Sequence, residues 1–291
     1  MTVPVIDAHQ HYWKIAAQDQ PWRESHHGAI AQNFEPADLA PLLAAAGIDG
    51  TVVMQSVDEP EENDRLAAYA TDDTVLGIVS WLPVKDPAAA SAELDRRELP
   101  KHVGVRCLVA DDPMDWLASR DIRALFADIA RRGLAWDVVP ITDAQIRNVT
   151  ALAEAVPDLR IVVDHLGRPP IDSGGWEPWA GNVARLAGNP NVSVKVSIGI
   201  NVLSAWAAWD ASGVEPFVDH VADLYGADRL LAASNWPVVL LRTDYATAWR
   251  DLREMLFARF DDPAERAAVL GGAAVRVYGL DRFVPAGPVS G

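Results

Sequence analysis

Residues 3–13, Val-Pro-Val-Ile-Asp-Ala-His-Gln-His-Tyr-Trp, join an apolar run to a His-x-His pair. Side chains alternate faces along a strand, so His9 and His11 point the same way and offer two imidazoles to one ion or one substrate. The motif is short, and two histidines at the start of a loop serve structural roles as readily. Residues of the same chemical kind recur at the ends of later apolar runs: Gln55, Arg106, Asp137, Asp164 with His165, Lys195, and Ser234-Asn235-Trp236-Pro237. Strands buried on both faces read as continuous apolar stretches, so polar groups at their ends need a reason. Each has a plain alternative: Arg106 as half of a surface ion pair, Lys195 as a snorkelling side chain. That nearly every run ends this way is the pattern of polar groups converging on one rim.

The elements that would position them alternate regularly. Apolar, β-branched runs cover residues 3–8, 50–55, 75–81, 103–108, 135–139, 160–164, 192–196 and 230–233. Amphipathic stretches lie between them at 35–46, 61–70, 88–99, 122–132, 143–155, 176–187 and 216–225, with 245–259 and 263–270 after the last run. Short strands alternating with crossover-length helices predict an α/β fold, a single distorted (β/α)8 barrel of the TIM type over residues 1–283. Such barrels keep their chemistry at the carboxyl ends of the strands. An open doubly wound sheet is the alternative. No GxGxxG follows the first strand and no phosphate-binding GK[ST] loop occurs, which disfavours nucleotide binding by either route. Residues 284–291, rich in Pro, Gly and Ser, read as a flexible tail.

Bulk properties narrow the partners. A net charge of −16, from 25 basic and 41 acidic residues, argues against nucleic acid or an anionic membrane as partner. Local arginines can still receive an anionic small molecule. The single cysteine, Cys107, excludes an internal disulfide and a cysteine-rich metal site. Asp7 and His9 interrupt any signal-peptide core, and no run approaches the roughly 20 apolar residues of a membrane span. A cytoplasmic protein acting on a small molecule is therefore expected, and a homo-oligomer is compatible with every one of these features. The absence of a Gly-x-Ser-x-Gly elbow disfavours a serine-hydrolase mechanism. Among the 11 tryptophans, Trp13, Trp22, Trp81 and Trp236 lie at or just beyond strand ends, where aromatic walls would suit the apolar face of a ring. Asp210 and Asp244 read as helix caps or surface residues.

Several motifs then occur in order: the His-x-His pair, Val-Asp-His-Leu-Gly-Arg-Pro at 163–169, Val-Lys-Val-Ser at 194–197 and Ser-Asn-Trp-Pro-Val at 234–238. With Gly104-Val105-Arg106, the stretch 133–137 and the closing Gly-Gly-Ala-Ala-Val-Arg-Val-Tyr-Gly-Leu at 271–280, this set resembles the amidohydrolase superfamily. More narrowly, it resembles the branch containing sugar-lactone hydrolases such as fuconolactonase, and the pyrone-dicarboxylate lactonases. The resemblance implies a distorted (β/α) barrel and a hydrolase opening a sugar-acid lactone or a carboxylated ring lactone, a role in carbohydrate metabolism. It implies catalytic roles for His165, Asn235, Lys195 and Arg106, with Arg106, Lys195 and His165 stabilising the oxyanion formed when water attacks the carbonyl. It further implies substrate contacts from His9, His11, Gln55, Asp137, Trp13 and Trp236.

One position departs from that pattern. After the last strand the family has Ser-Asp-Trp-Pro, its aspartate being the general base, and this chain has Asn235. A carboxamide orients a water but does not deprotonate it. Four readings remain open: a lactonase engineered to lack its base, a natural variant using His165, Asp164 or Asp137 instead, a non-hydrolytic enzyme, or a protein that only binds a lactone-like ring. Ser-Ile-Gly at 197–199, where the family has Ser-Gly, and Cys107, where it often has a polar residue, favour natural variation. Loss of the carboxylate also weakens any metal site. The expectation is no metal, or a weakly bound zinc or manganese ion held by His9, His11 and His165.

Overall fold

A strand hidden on both faces can carry Val, Ile, Leu and Ala without interruption, and the eight apolar runs do so. The computed structural model describes residues 3–96 and 98–283. Its strands are β1 (Ile6–Gln10), β2 (Gly50–Met54), β3 (Val75–Trp81), β4 (His102–Arg106), β5 (Ala135–Val138), β6 (Arg160–Val163), β7 (Val192–Val196) and β8 (Leu230–Ala232). They form one eight-stranded sheet in chain order, and the seven consecutive pairs are all parallel. Every residue of β1, β2, β5, β7 and β8 is buried. The crossovers are α1 (Pro36–Ala46), α2 (Pro60–Tyr69), α3 (Pro87–Arg96), α4 (Arg120–Arg131), α5 (Asp143–Ala155), α6 (Trp179–Ala187), then α7 (Ile200–Ala205) with α8 (Ala211–Tyr225). The chain ends through α9 (Tyr245–Arg259), α10 (Pro263–Ala267) and α11 (Ala273–Tyr278). This is the expected (β/α)8 barrel.

The seam between β8 and β1 is closed by a single parallel bridge, Gln10 to Trp236. Beside it the His11 amide donates to the Trp236 carbonyl at 2.8 Å, and the Asn235 amide to the His9 carbonyl at 2.9 Å. At the amino end of the seam the helical turn Ala268–Gly272 packs against β1 and β8. A Cβ on Gly271 would lie 1.8 Å from the Pro4 carbonyl oxygen, so only glycine lets this turn approach.

Several helical elements differ from the sequence expectation: α6 begins at Trp179 rather than at 176, and the short α7 was not expected. The helix expected from Pro216 begins at Ala211, because Asp210 caps it by accepting from the Gly213 amide at 3.2 Å. The stretch expected as one helix over 263–270 changes at Ala268, where α10 passes into the helical turn Ala268–Gly272 and then into α11. That last helix plugs the amino end of the barrel, where Ala273, Ala274, Val277 and Leu280 join Ile6, Val52, Val103 and Leu231 in one apolar cluster. The tail expected at 284–291 lies outside the described residues. Among the described residues no helix is long and apolar enough to cross a membrane.

Candidate active site

The carboxyl ends of the strands surround a cavity of about 220 Å³. His11, Gln55, Arg106, His165 and Asn235 all line it, five of the residues expected from the sequence. Trp22, Cys107, Arg168, and an apolar wall that includes Val109, Ile141, Ile200 and Val238 complete it. Its size suits a single small ring, since drug-sized ligands usually need more than about 300 Å³.

Local backbone geometry aims these side chains. Asp7 is fully buried and accepts from the Ser234 amide (2.9 Å), the Ser234 hydroxyl (2.6 Å) and the Tyr245 hydroxyl (3.1 Å). This carboxylate ties β1 to the turn carrying Asn235, whose φ of +57° lies in the left-handed region that Asn tolerates better than most residues. Asn235 Nδ2 donates to the Ile198 carbonyl at 2.8 Å, so its Oδ1 faces away from that carbonyl. The turn after β6 holds His165, Leu166 and Arg168 at φ of +53°, +54° and +53°. Left-handed non-glycine residues in a row cost energy and concentrate where a site requires them.

Beneath the cavity lies a sealed polar cluster. Lys195 is fully buried, and its Nζ donates to Asp137 Oδ1 at 2.6 Å and pairs with Asp164 Oδ1 at 3.1 Å. Tyr278, from the plugging helix α11, donates its hydroxyl to the same Asp137 oxygen at 2.6 Å. Arg106 Nε approaches Asp164 Oδ2 at 3.4 Å. Burial raises the Asp137 carboxyl to about 6 against the pull of Lys195. Burial acts the same way on Asp164, but Lys195, His9 and Arg106 prevail and hold it well below the usual carboxylate range. Desolvation keeps the imidazoles neutral, with His11 and His165 pushed down to about 3 and His9 also well below its ordinary value.

Neutral imidazoles fix the direction of a hydrogen-bond chain. His11 Nδ1 lies 3.1 Å from the Met54 carbonyl, which only accepts, so Nδ1 carries the proton and Nε2 keeps its lone pair. That lone pair faces His9 Nε2 at 3.1 Å, which therefore donates. His9 Nδ1 is then an acceptor for the Lys195 ammonium at 3.2 Å. The chain runs Lys195 to His9 to His11 to Met54; its one unfavourable contact, His9 Nδ1 against Asp164 Oδ1 at 3.2 Å, is bridged by the Lys195 ammonium, which touches both.

Some expected contacts fall elsewhere. Lys195, Asp137 and His9 form the floor and do not line the cavity, because the ion pairs just described hold them below it. Trp13 is fully buried against Trp22 and Phe34 and donates its indole N–H to the Gln32 carbonyl at 2.9 Å. Trp236 packs on Tyr12 and Phe34 behind the seam. Neither lines the cavity; Trp22 does, held by its indole N–H on the Ser56 carbonyl at 2.7 Å. Arg168 and Tyr278 were not singled out from the sequence, although both stand inside motifs that carry the family resemblance.

The candidate metal donors also regroup. His9, Asp164 and His165 offer ligand atoms within 4.8 Å of one another and could hold an ion. His11 is not among these three donors; its Nδ1 is held by the Met54 carbonyl and its Nε2 faces His9. Two neutral imidazoles and an ionised carboxylate are suitable donors for a divalent cation. The Lys195 ammonium already contacts two of the three, so an ion entering here meets a positive charge in place.

Eight parallel strands with a polar rim at their carboxyl ends make a (β/α)8 barrel with a candidate active site, and comparison with known proteins specifies its class. The amidohydrolase family model matches residues 6–280, and the chain belongs to that family. It is 35% identical to an L-fucono-1,5-lactonase of Burkholderia ambifaria over 95% of this chain and 96% of the relative. An L-fucono-1,5-lactonase of Burkholderia multivorans is 30% identical, with 94% and 96% covered. A crystal structure of a Burkholderia multivorans amidohydrolase with bound zinc superposes with a TM-score of 0.85 at 26% identity, covering 95% of this chain and 99% of that one.

Proposed function

We propose that the protein hydrolyses the ring ester of a small lactone. The observation that carries this reading is the set of buried polar atoms lacking partners among the described residues on one cavity: Arg106 Nη1, Asn235 Oδ1 and Gln55 Oε1. A buried group without a partner is costly unless a ligand supplies one. The likeness to L-fucono-1,5-lactonases supports the lactone as that ligand.

Arg106 Nη1 is placed to meet the carbonyl oxygen and to stabilise the oxyanion that develops on it. Asn235 Oδ1 accepts one hydrogen of the attacking water and aims its lone pair at the carbonyl carbon. Of the bases considered from the sequence, Asp164 and Asp137 are bound to Lys195 below the cavity, whereas His165 lines it. His165 takes the water proton as the carbon–oxygen bond forms, acting as a weak base because burial holds its pKa at about 3 until the oxyanion develops beside it. When the tetrahedral adduct collapses, the ring C–O bond breaks and the ring oxygen receives that proton. The product is the open hydroxy acid, which releases its carboxyl proton to solvent.

Lys195 acts from below through His9 and Asp164 rather than by touching the oxyanion. A zinc or manganese ion, where bound, would be held by His9, Asp164 and His165 and would supply Lewis-acid polarisation, in which case His165 would not be the base. The ammonium beside these donors makes occupancy below one ion per chain the expected result of elemental analysis.

A pH-indicator screen over aldonolactones and pyrone or muconolactone compounds tests the function, since each ring opening releases a proton. Turnover that saturates with substrate and scales with enzyme is expected. No turnover of any lactone would leave the binding-only reading in its place.

A further inference from the structure

We infer that Gln55 selects lactones that bear a ring hydroxyl, and that Asp58 is the positioning residue that turns Gln55 toward the substrate; this rests on the lactonase reading. Gln55 is fully buried at the end of β2, its backbone amide held by the Val79 carbonyl at 2.9 Å. Its Nε2 donates to Asp58 Oδ1 at 2.7 Å and lies 3.4 Å from the Val57 carbonyl. Both partners are acceptors, so the carboxamide has one satisfactory orientation, with Oε1 on the far side.

Asp58 cannot easily turn away. It receives the Leu108 amide at 3.0 and 3.1 Å on its two oxygens, which pins the β2 loop to the β4 loop. Gln55 lines the cavity, and its Oε1 is buried with no partner among the described residues. The cavity thus presents a fixed acceptor with a carboxylate directly behind it.

At this wall the arrangement favours a ring hydroxyl over a carboxylate; Arg106 and Arg168, elsewhere on the same cavity, are the groups that would pair with an anion. A ring hydroxyl donates to Oε1 and completes it. A substrate carboxylate has no proton to give near neutral pH, so it would leave Oε1 without a partner. The geometry therefore points to a lactone with a ring hydroxyl set against Gln55.

The test compares kcat/KM on D-glucono-1,5-lactone with that on δ-valerolactone, the same ring without hydroxyls. Wild type, Gln55→Leu and Asp58→Asn are measured on both, with folding checked by circular dichroism. Wild type should prefer the hydroxylated ring, and Gln55→Leu should reduce that preference by about 10²-fold, because a site built to hydrogen-bond a hydroxyl discriminates strongly against its absence. Asp58→Asn can donate to Gln55 Oε1 and let the amide turn over, so it should reduce the preference in the same direction by less. Equal loss on both rings in the two variants would show a merely structural role and overturn the inference. A pyrone dicarboxylate turned over faster than the hydroxylated lactone would overturn the substrate class. No turnover of either ring by wild type that does open another lactone in the indicator screen would overturn the inference alone, whereas no turnover of any lactone would defeat the lactonase reading and the inference with it.

Discussion

At the carboxyl end of the barrel, Arg106 Nη1, Gln55 Oε1 and Asn235 Oδ1 are buried without partners among the described residues. At the amino end, Ala273, Ala274, Val277 and Leu280 meet the strands in an apolar cluster, and Gly271 presses against the Pro4 carbonyl. One end leaves polar groups open to a ligand; the other is closed by packing that only small and apolar residues allow. The contrast predicts a division of labour. Substitutions at the amino end should change stability and leave turnover per folded molecule alone, and substitutions at the rim should do the reverse. The buried cluster around Lys195 lies between the two, and α11 reaches it from below through Tyr278.

Lys195→Met puts the greatest strain on that division. The change leaves Asp137 and Asp164 buried beside each other with their shared cation removed. Breaking a buried pair by deleting one partner typically costs about 3–5 kcal/mol. Both stability, read by urea unfolding, and kcat/KM on the best lactone should fall together. A variant that loses activity at wild-type stability would mean that Lys195 belongs to the rim and not to the floor.

Gly271→Ala tests the amino end by itself. The added methyl would meet a backbone oxygen, and overpacking of this kind costs about 1–3 kcal/mol or more. The unfolding midpoint should drop, while kcat/KM per folded molecule stays within about twofold. A selective loss of kcat/KM would show that the plug transmits to the rim, with Tyr278 as the obvious route.

The same contrast explains what could be read from the sequence. The strands announce themselves locally, as apolar β-branched runs, and the helices by their period. The helices β-to-β therefore emerged close to their observed bounds, as Asp143–Ala155 and Tyr245–Arg259 show. His11, Gln55, Arg106, His165 and Asn235 were legible because a polar residue ending a buried strand is an anomaly visible in one dimension. Trp13 and Trp236 misled, because an indole beside a strand end can face either the cavity or the packing behind it, and position along the chain does not tell which. Tyr278 and Asp58 could not have been assigned from local pattern. Each acquires its role through a partner far along the chain, Asp137 for Tyr278 and the Leu108 amide for Asp58.

A smaller effect sits at the amino end of β4. His102 Nε2 pairs with the Ser80 hydroxyl at 2.9 Å, and burial lowers its pKa from 6.5 to about 4. As pH falls, the unfolded chain takes up this proton before the folded one does. The imidazole's contribution to stability is therefore complete above about pH 6.5 and is lost progressively toward pH 4. His102→Gln keeps a partner for Ser80 and removes the titration. Its Tm should fall less than that of wild type between about pH 7 and pH 5, with kcat unchanged. An identical fall in both proteins would assign the acid sensitivity to the rim histidines instead.

The smallest expected change concerns the residue that departs most from the family pattern. Restoring a carboxylate with Asn235→Asp would raise kcat/KM by about 10²–10⁴-fold if the site were a lactonase lacking only its base. The surroundings argue otherwise. Asn235 Nδ2 donates to the Ile198 carbonyl at 2.8 Å, and a carboxylate would turn an oxygen toward that carbonyl in a buried setting. The cost would be met by protonation, which removes the basicity sought, or by rotation, which moves the oxygen that orients the water. The turn itself accepts either residue at φ of +57°, so folding should be little affected. We expect kcat/KM of the aspartate form within a few-fold of wild type on the best lactone, with its rising pH limb shifted upward if the new carboxyl titrates. A hundredfold gain would show that the rim tolerates the charge, and that His165 is a substitute for the missing base rather than its successor.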